Sequence, residues 1–241
     1  DFAEPTNNRF LAVRELQIQG HRPPHYNKRA DLVCFVNGLP LVFIELKAPH
    51  VNIRAGFDGN LRDYMHEFGV AHAFHHNAFL VVSNGDHAKY GSITSEWDHF
   101  AEWKRDNEDD VGNLDTVTLL NGMLAKDRLL DIFANFILFD ASKAGAVRKV
   151  VARNQQVLGV NLAVQSVVRQ EAIKLAIPKD QRLTYKVVPF RLPHGATDPL
   201  FLAGKERAPI QVIERAHKDL GQLGVFWHTQ GSGKSYSMAF F

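Results

Sequence analysis

Residues 29–47 read RADLVCFVNGLPLVFIELK, and this stretch decides the fold of the chain around it. Leu32 to Val36 is apolar and rich in β-branched residues, and Leu41 to Leu46 is a second apolar run. Between them stands Asn37-Gly38, the dipeptide best suited to the positive φ angles of a tight hairpin. Two antiparallel strands follow. Both are so apolar that their sheet is expected to be covered on both faces, where a charge must be matched or put to use. Asp31, Glu45 and Lys47 are those charges. Glu45 and Lys47 lie two apart and project from one face of their strand, while Asp31 opens the partner strand at the same end of the hairpin.

Two carboxylates so placed suit Mg²⁺, a hard cation that takes oxygen ligands, and the backbone carbonyl of Leu46 offers another oxygen. Such a metal polarises a phosphate and acidifies its water, and the Lys47 ammonium orients that water and offsets charge in the transition state. Taken alone, the spacing also fits a strand-capping Asp and a surface ion pair at a strand end. An acid embedded in LVFIELK weighs against this, because ionised groups rarely sit in apolar runs without a partner.

RADLVCFVNGLPLVFIELKAP resembles the PD-(D/E)xK nuclease core, in the form found in the restriction (motor) subunit of type I restriction-modification enzymes. The resemblance implies catalytic roles for Asp31, Glu45 and Lys47, with Asp31, Glu45 and the Leu46 carbonyl as metal ligands. It also implies a Q-x-x-x-Y pair on the following helix. Here GNLRDYMHEF, residues 59–68, supplies Tyr64 but has Asn60 in place of the Gln. Asn60 and Tyr64 share a helix face, from which they contact DNA or steady the lysine.

The 241 residues, 45% of them apolar, suffice for one large or two modest domains. A formal net charge of +2 gives no global basic field, so nucleic acid would have to meet a local patch. The single cysteine, Cys34, excludes an internal disulfide framework and suits a reducing cytoplasm. Neither a run of about 18 apolar residues nor a signal pattern in DFAEPTNNRF is present, so no membrane partner is expected.

Before the hairpin, RFLAVRELQIQ, residues 9–19, alternates in part in the manner of a strand, with a short helix as the alternative, and Glu15 within it is a minor candidate for an extra acidic ligand. His21 to Arg29 reads as a basic loop in which Arg22, Lys28 and Arg29 line a DNA path or are simply solvated. After it, His72, His75 and His76 share a helix side, a spacing compatible with zinc. No fourth ligand is evident, and ordinary surface histidines are the simpler reading. Phe79 to Ser83 and Ala88 to Thr94 form a second hairpin about Asn84-Gly85. Trp97, Phe100 and Trp103 are expected as one helix stripe facing the core, with a base-stacking platform as the alternative. LLDIFANFILF, residues 129–139, reads as a helix closing that core, and Asp140 to Ala146 as an interdomain linker.

Beyond the linker, RKVVARNQQVLGVNLAVQSVVRQ reads as a helix start similar to the segment that precedes the ATPase in the same family. The resemblance implies that Gln156 reads an adenine edge, with Gln155 as the near alternative and a plain helix-start glutamine as the other reading. Pro178 to Pro209 reads as an insertion or mobile loop with a strand-like stretch only at Tyr185 to Val188. Leu223 to Trp227 is expected as a strand leading into HTQGSGKS, which departs from strict GxxxxGK[ST] at its first glycine, near Thr229. The segment is similar to superfamily 2 helicase motif I. Amides of Thr229, Gly231, Ser232 and Gly233 are expected to wrap the phosphates of ATP, Lys234 to offset the β/γ charge and Ser235 to ligate Mg²⁺. No Walker-B acid follows in the sequence, so the chain is expected to be a piece of a longer motor and to lack ATPase activity itself.

The expectation is thus an α/β chain: a restriction-endonuclease-like mixed sheet flanked by helices over residues 1–145, then the incomplete start of a RecA-like parallel α/β domain over 146–241. Its implied work is Mg²⁺-dependent cleavage of double-stranded DNA within an ATP-dependent translocating enzyme that includes methylation and specificity subunits. A stand-alone repair helicase-nuclease and a catalytically silent DNA- or partner-binding scaffold are the alternatives.

Overall fold

The computed structural model describes residues 1–20, 27–141, 145–189 and 209–241. Asn37 (φ 52°) and Gly38 (φ 87°) take the left-handed conformations that their chemistry favours, and they close the hairpin between β2 (Lys28–Val36) and β3 (Leu39–Leu46). Outside it lies β1 (Phe10–Ile18), antiparallel to β2. On the other side β3 pairs in parallel with β4 (Phe79–Ser83), which returns through β5 (Ala88–Gly91). The result is a five-stranded mixed sheet in the order β1-β2-β3-β4-β5. β3 and β4 are its buried centre.

Alternation along those two strands sorts their side chains to two cores. Val42, Ile44, Phe79 and Val81 face one layer with Leu119, Met123, Leu130 and Ile132, from helices α2 (Thr116–Met123) and α3 (Lys126–Asn135). Phe43, Leu80 and Val82 face the other, packed on Phe57, Leu61, Tyr64 and Phe74. Phe57 and Leu61 belong to a π-helical turn, Gly56–Leu61, that runs directly into α1 (Arg62–Met65). Glu45, one residue past Ile44, therefore points into the second layer.

Three expectations are corrected, for the run at residues 129–139, for the three aromatics and for Leu223 to Trp227. The run at residues 129–139 is not one helix: α3 ends at Asn135, and β6 (Ile137–Asp140) pairs with β7 (Arg148–Val151). A short apolar run fits either element, and here the pairing with Arg148–Val151 prevails. The stretch expected as an interdomain linker lies at the turn of that hairpin, and its residues 142–144 are outside the described ones. The three aromatics do not form one stripe. Trp97 lies in a single 3₁₀ turn and joins Phe100 in the second layer, whereas Trp103 packs in the first; the Tyr90–Ala101 bridge draws the chain across the sheet edge between them. Leu223 to Trp227 forms no strand, and Val225 and Trp227 are exposed. A strand needs a neighbour for its amides, and among the described residues none runs beside it.

Helix α4 (Asn154–Ala176) follows β7, and β8 (Leu183–Val188) pairs antiparallel with β9 (Ile210–Arg215), a strand that sequence reading missed. Most of the expected 178–209 insertion, residues 190–208, lies outside the described ones. The last helix is α5 (Lys234–Phe240). By packing, the chain forms two units, Asp1–Val160 with His228–Phe241 and Asn161–Trp227. No described helix is long and apolar enough to cross a membrane.

Candidate active site

The register of β2 on β3, in which Leu32 faces Ile44, puts Asp31 across from Glu45 at its next step. Asp31 Oδ2 accepts a hydrogen bond from the Leu46 amide at 2.8 Å, so its carboxylate is anchored to the backbone beside Glu45. The next amide along, Lys47, donates to Ser83 O of β4 at 2.8 Å. Residues 45–47 are thus gripped from both neighbouring strands.

Glu45 is 1% exposed, an extreme for a carboxylate. Lys47 Nζ lies 3.0 Å from Glu45 Oε1 and donates to Asn60 Oδ1, also at 3.0 Å. Burial pushes the Glu45 carboxyl up to about 7; the Lys47 hydrogen bond works against that rise, and the Asp31 charge adds to it. Tyr64 OH donates to the Arg29 carbonyl at 2.8 Å, bracing the strand two residues before Asp31. Its hydroxyl is raised to about 12, chiefly by burial, opposed by Asn60 and reinforced by the charges of Glu45 and Asp31. Asp31, Glu45, Lys47, Asn60 and Tyr64 therefore form one cluster. Asn60, shorter than the Gln of the resembling family, reaches the lysine all the same.

Gly56 was not singled out from the sequence. A Cβ there would lie 3.2 Å from Glu45 Cγ and 3.4 Å from Lys47 Cε, so the bare backbone of the π turn is what lets this element close over the site. A glycine opening a helical stretch was the only signal. Lys28 pairs with Asp63, Arg29 lies 3.9 Å from Glu15, and Arg22 is outside the described residues. Among the described residues no three His, Cys, Asp or Glu side chains group as a metal site, His72, His75 and His76 included.

The second expected site gathers around Gly231 (φ 78°) and Gly233 (φ 86°), whose left-handed backbones shape the loop before α5. Lys234 Nζ donates to His228 O at 2.8 Å, folded back on its own loop. Gln156 does meet this loop, but not with a free amide. Its Oε1 accepts from the Arg153 amide at 2.7 Å, its Nε2 donates to Gly233 O at 2.8 Å, and the residue is 3% exposed. Here Gln156 acts as a clamp between the start of α4 and the glycine loop. Tyr236 OH adds a second tie, donating to Asp140 Oδ2 at 2.9 Å.

Against known families, residues 1–99 match the model described as the type I restriction enzyme R protein N terminus, and residues 206–241 match SWI2/SNF2 ATPase. The whole chain is 32% identical over 250 residues to the type I restriction enzyme HindI endonuclease subunit of Haemophilus influenzae, covering 19% of that protein. It is 26% identical over 261 residues to the putative MjaIXP endonuclease subunit of Methanocaldococcus jannaschii, covering 20% of it. Over 56% of the chain it is 29% identical to the EcoprrI endonuclease subunit of Escherichia coli, covering 44% of that protein. The chain thus spans about a fifth of the length of the first two relatives.

Proposed function

Because the chain belongs to the type I restriction enzyme R proteins, we propose that its Asp31–Glu45–Lys47 cluster is a divalent-metal-dependent endonuclease centre acting on the phosphodiesters of double-stranded DNA. The observation that carries this reading is the burial of Glu45 within reach of both Lys47 and the anchored Asp31. A carboxyl whose burial resists ionisation, with a second carboxylate beside it, has the donor chemistry of a Mg²⁺ site. Asp31, Glu45 and the Leu46 carbonyl would hold the ion. When bound, it supplies Lewis-acid polarisation of the phosphate and a more acidic water.

The chain's own residues do the rest. Asn60 and Glu45 hold the Lys47 ammonium at a fixed point beside the carboxylates, where it orients the attacking water and offsets charge on the phosphate. Tyr64 fixes the backbone leading to Asp31. The Asn60–Lys47 hydrogen bond favours a working centre over a silent scaffold.

Residues 1–145 are on this reading the nuclease domain, and 146–241 the opening of a RecA-like ATPase and translocase domain. Thr229, Gly231, Ser232 and Gly233 would receive ATP phosphates, with Lys234 exchanging its loop carbonyls for phosphate oxygens and Ser235 ligating Mg²⁺. In the whole protein this work belongs to a cytoplasmic restriction system that includes methylation and specificity subunits and draws DNA past itself at the expense of ATP.

The decisive experiment is Mn²⁺ binding by calorimetry on the chain and on Asp31→Ala and Glu45→Ala. Binding by the parent and its loss in either variant is the expected result. A parent that binds no metal, or variants that bind equally well, would overturn the reading.

A further inference from the structure

Trp97, one of the aromatics weighed above as a base-stacking platform, is half-buried and lines a cleft of about 480 Å³. Its ring is braced by two buried phenylalanines, with centroids 5.5 Å from Phe100 and 5.7 Å from Phe57, and Lys89 Nζ lies 5.5 Å from the centre of the same ring. Arg54 and His87, both exposed, line the cleft as well, so basic side chains from the loop after β3, from the turn before β5 and from β5 itself converge on one indole. Glu102 is the one acid among the described residues lining it, and its Oε1 stands 3.8 Å from Lys89 Nζ, beyond a hydrogen bond. Arg54 donates Nε to Asp58 at 2.9 Å in an exposed pair, a contact of little energetic weight that is easily exchanged.

The floor of the cleft is held by one side chain. Asn84, 8% exposed, donates Nδ2 to Pro49 O at 3.2 Å and to Val51 O at 3.0 Å, and its Oδ1 accepts from the His87 amide at 2.9 Å. It thus fastens the loop that leaves Lys47 to the turn that enters β5. Its chain neighbour Ser83 accepts the Lys47 amide. Because β3 and β4 run parallel, the cleft residues that follow them lie at the sheet end where Glu45 and Lys47 stand. Phe57, Phe100 and Trp97 belong to the layer into which Glu45 points. The cleft is therefore a neighbour of the proposed metal centre, at the same end and on the same face of the sheet.

A groove that combines cations with a supported aromatic ring suits a nucleic-acid strand, since the cations meet phosphates while the ring packs on a nucleoside. Resting on the endonuclease reading, we infer that this cleft seats one strand of the substrate DNA beside the scissile phosphate, with Lys89 holding a phosphate and Trp97 the adjoining nucleoside. Phosphate oxygens take the place of Glu102 at Lys89, and Arg54 and His87 add donors for the phosphates that follow. Asn84 is a positioning residue that fixes the spacing of the two walls.

The test is the affinity of the full chain for a DNA duplex, measured without Mg²⁺ so that nothing is cut, over a range of salt concentrations. Lys89→Ala is expected to weaken the duplex about fivefold and to lower the slope of log affinity against log salt by about 0.9, the share of one phosphate. Trp97→Leu is expected to weaken it about tenfold with the slope unchanged. Lys126→Ala, on the helix that packs against the other layer, should change neither quantity. In a Trp227→Phe background the duplex is expected to alter the emission of Trp97, since Trp103 is buried out of reach. Unaltered emission, unchanged duplex affinity in Lys89→Ala, or an equal loss in Lys126→Ala overturns the cleft. Mn²⁺ binding separates this inference from the reading on which it rests, because Lys89→Ala and Trp97→Leu are expected to bind the ion as the parent does. A parent that binds Mn²⁺ but no duplex overturns the cleft and leaves the metal centre standing; one that binds neither overturns both. If Trp97→Leu loses Mn²⁺ as well, its fold has failed, and the emission of the unaltered Trp97 decides.

Discussion

Glu45 has its ordinary pKa of 4.5 in the unfolded chain and about 7 in the folded one, because folding strips water from its carboxyl. Between those values the folded chain keeps a proton that the unfolded chain has released, so stability falls as pH rises through that window. The neutral isostere Glu45→Gln is therefore expected to stabilise the metal-free chain above pH 7, by roughly 1–3 kcal/mol at about 1.4 kcal/mol per pKa unit, and to change little near pH 5. Melting curves at the two pH values check this, and equal shifts at both would show that Glu45 does not titrate as its burial implies. A cation competes with the same proton. Mn²⁺ affinity is accordingly expected to climb between about pH 6 and pH 8, with about one proton released per ion, and calorimetry in buffers of different ionisation enthalpy reads that release. A flat profile would contradict Glu45 as a ligand.

The elements that could be read from sequence were those written in local chemistry. Asn37-Gly38 fixed the hairpin because a tight turn has strict φ requirements, and Asp31, Glu45 and Lys47 followed because side-chain direction along a strand alternates. Asn60 and Tyr64 were placed together by helical spacing, although part of that helix is a π turn. What failed was decided by distant partners. The run at residues 137–140 needed Arg148–Val151 in view to be seen as a strand, and the split of Trp97 and Phe100 from Trp103 needed the bridge from Tyr90 to Ala101. Helix α2 offers a test of such packing. A Cβ on Gly122 would sit 2.0 Å from Trp103 Nε1 and 2.4 Å from Asp106 Oδ1, and Trp103 is 1% exposed. Alanine normally strengthens a helix by roughly 1 kcal/mol over glycine, but overpacking a closed core costs about 1–3 kcal/mol. Gly122→Ala is thus expected to lower the Tm by a few degrees. A rise would mean that Trp103 is free to move aside.

At the scale of the whole molecule, the glycine-rich loop was legible as a motif but its surroundings were not. The Gln156 clamp on Gly233 spans 77 residues, and no local pattern announces that both ends of an amide will be used. The same holds for Leu223–Trp227, whose apolar run spells a strand while its neighbours decide whether one forms. Trp227 is 86% exposed and Trp103 1%. Acrylamide is therefore expected to quench a large part of the fluorescence of the chain, and Trp227→Phe to remove the most accessible component. If the accessible fraction survived that change, the run would be covered in solution.

The middle residue of Glu45-Leu46-Lys47 is spelled in the motif as a position where anything will do. The residue is 46% exposed, with its side chain on the face of β3 opposite Glu45, and it is its backbone amide that holds Asp31. Every residue but proline leaves that amide in place. The freedom written as x is thus a freedom of side chain alone: heredity can rewrite the letter indefinitely while the peptide bond beneath it stays in service, and proline is the single letter it must avoid.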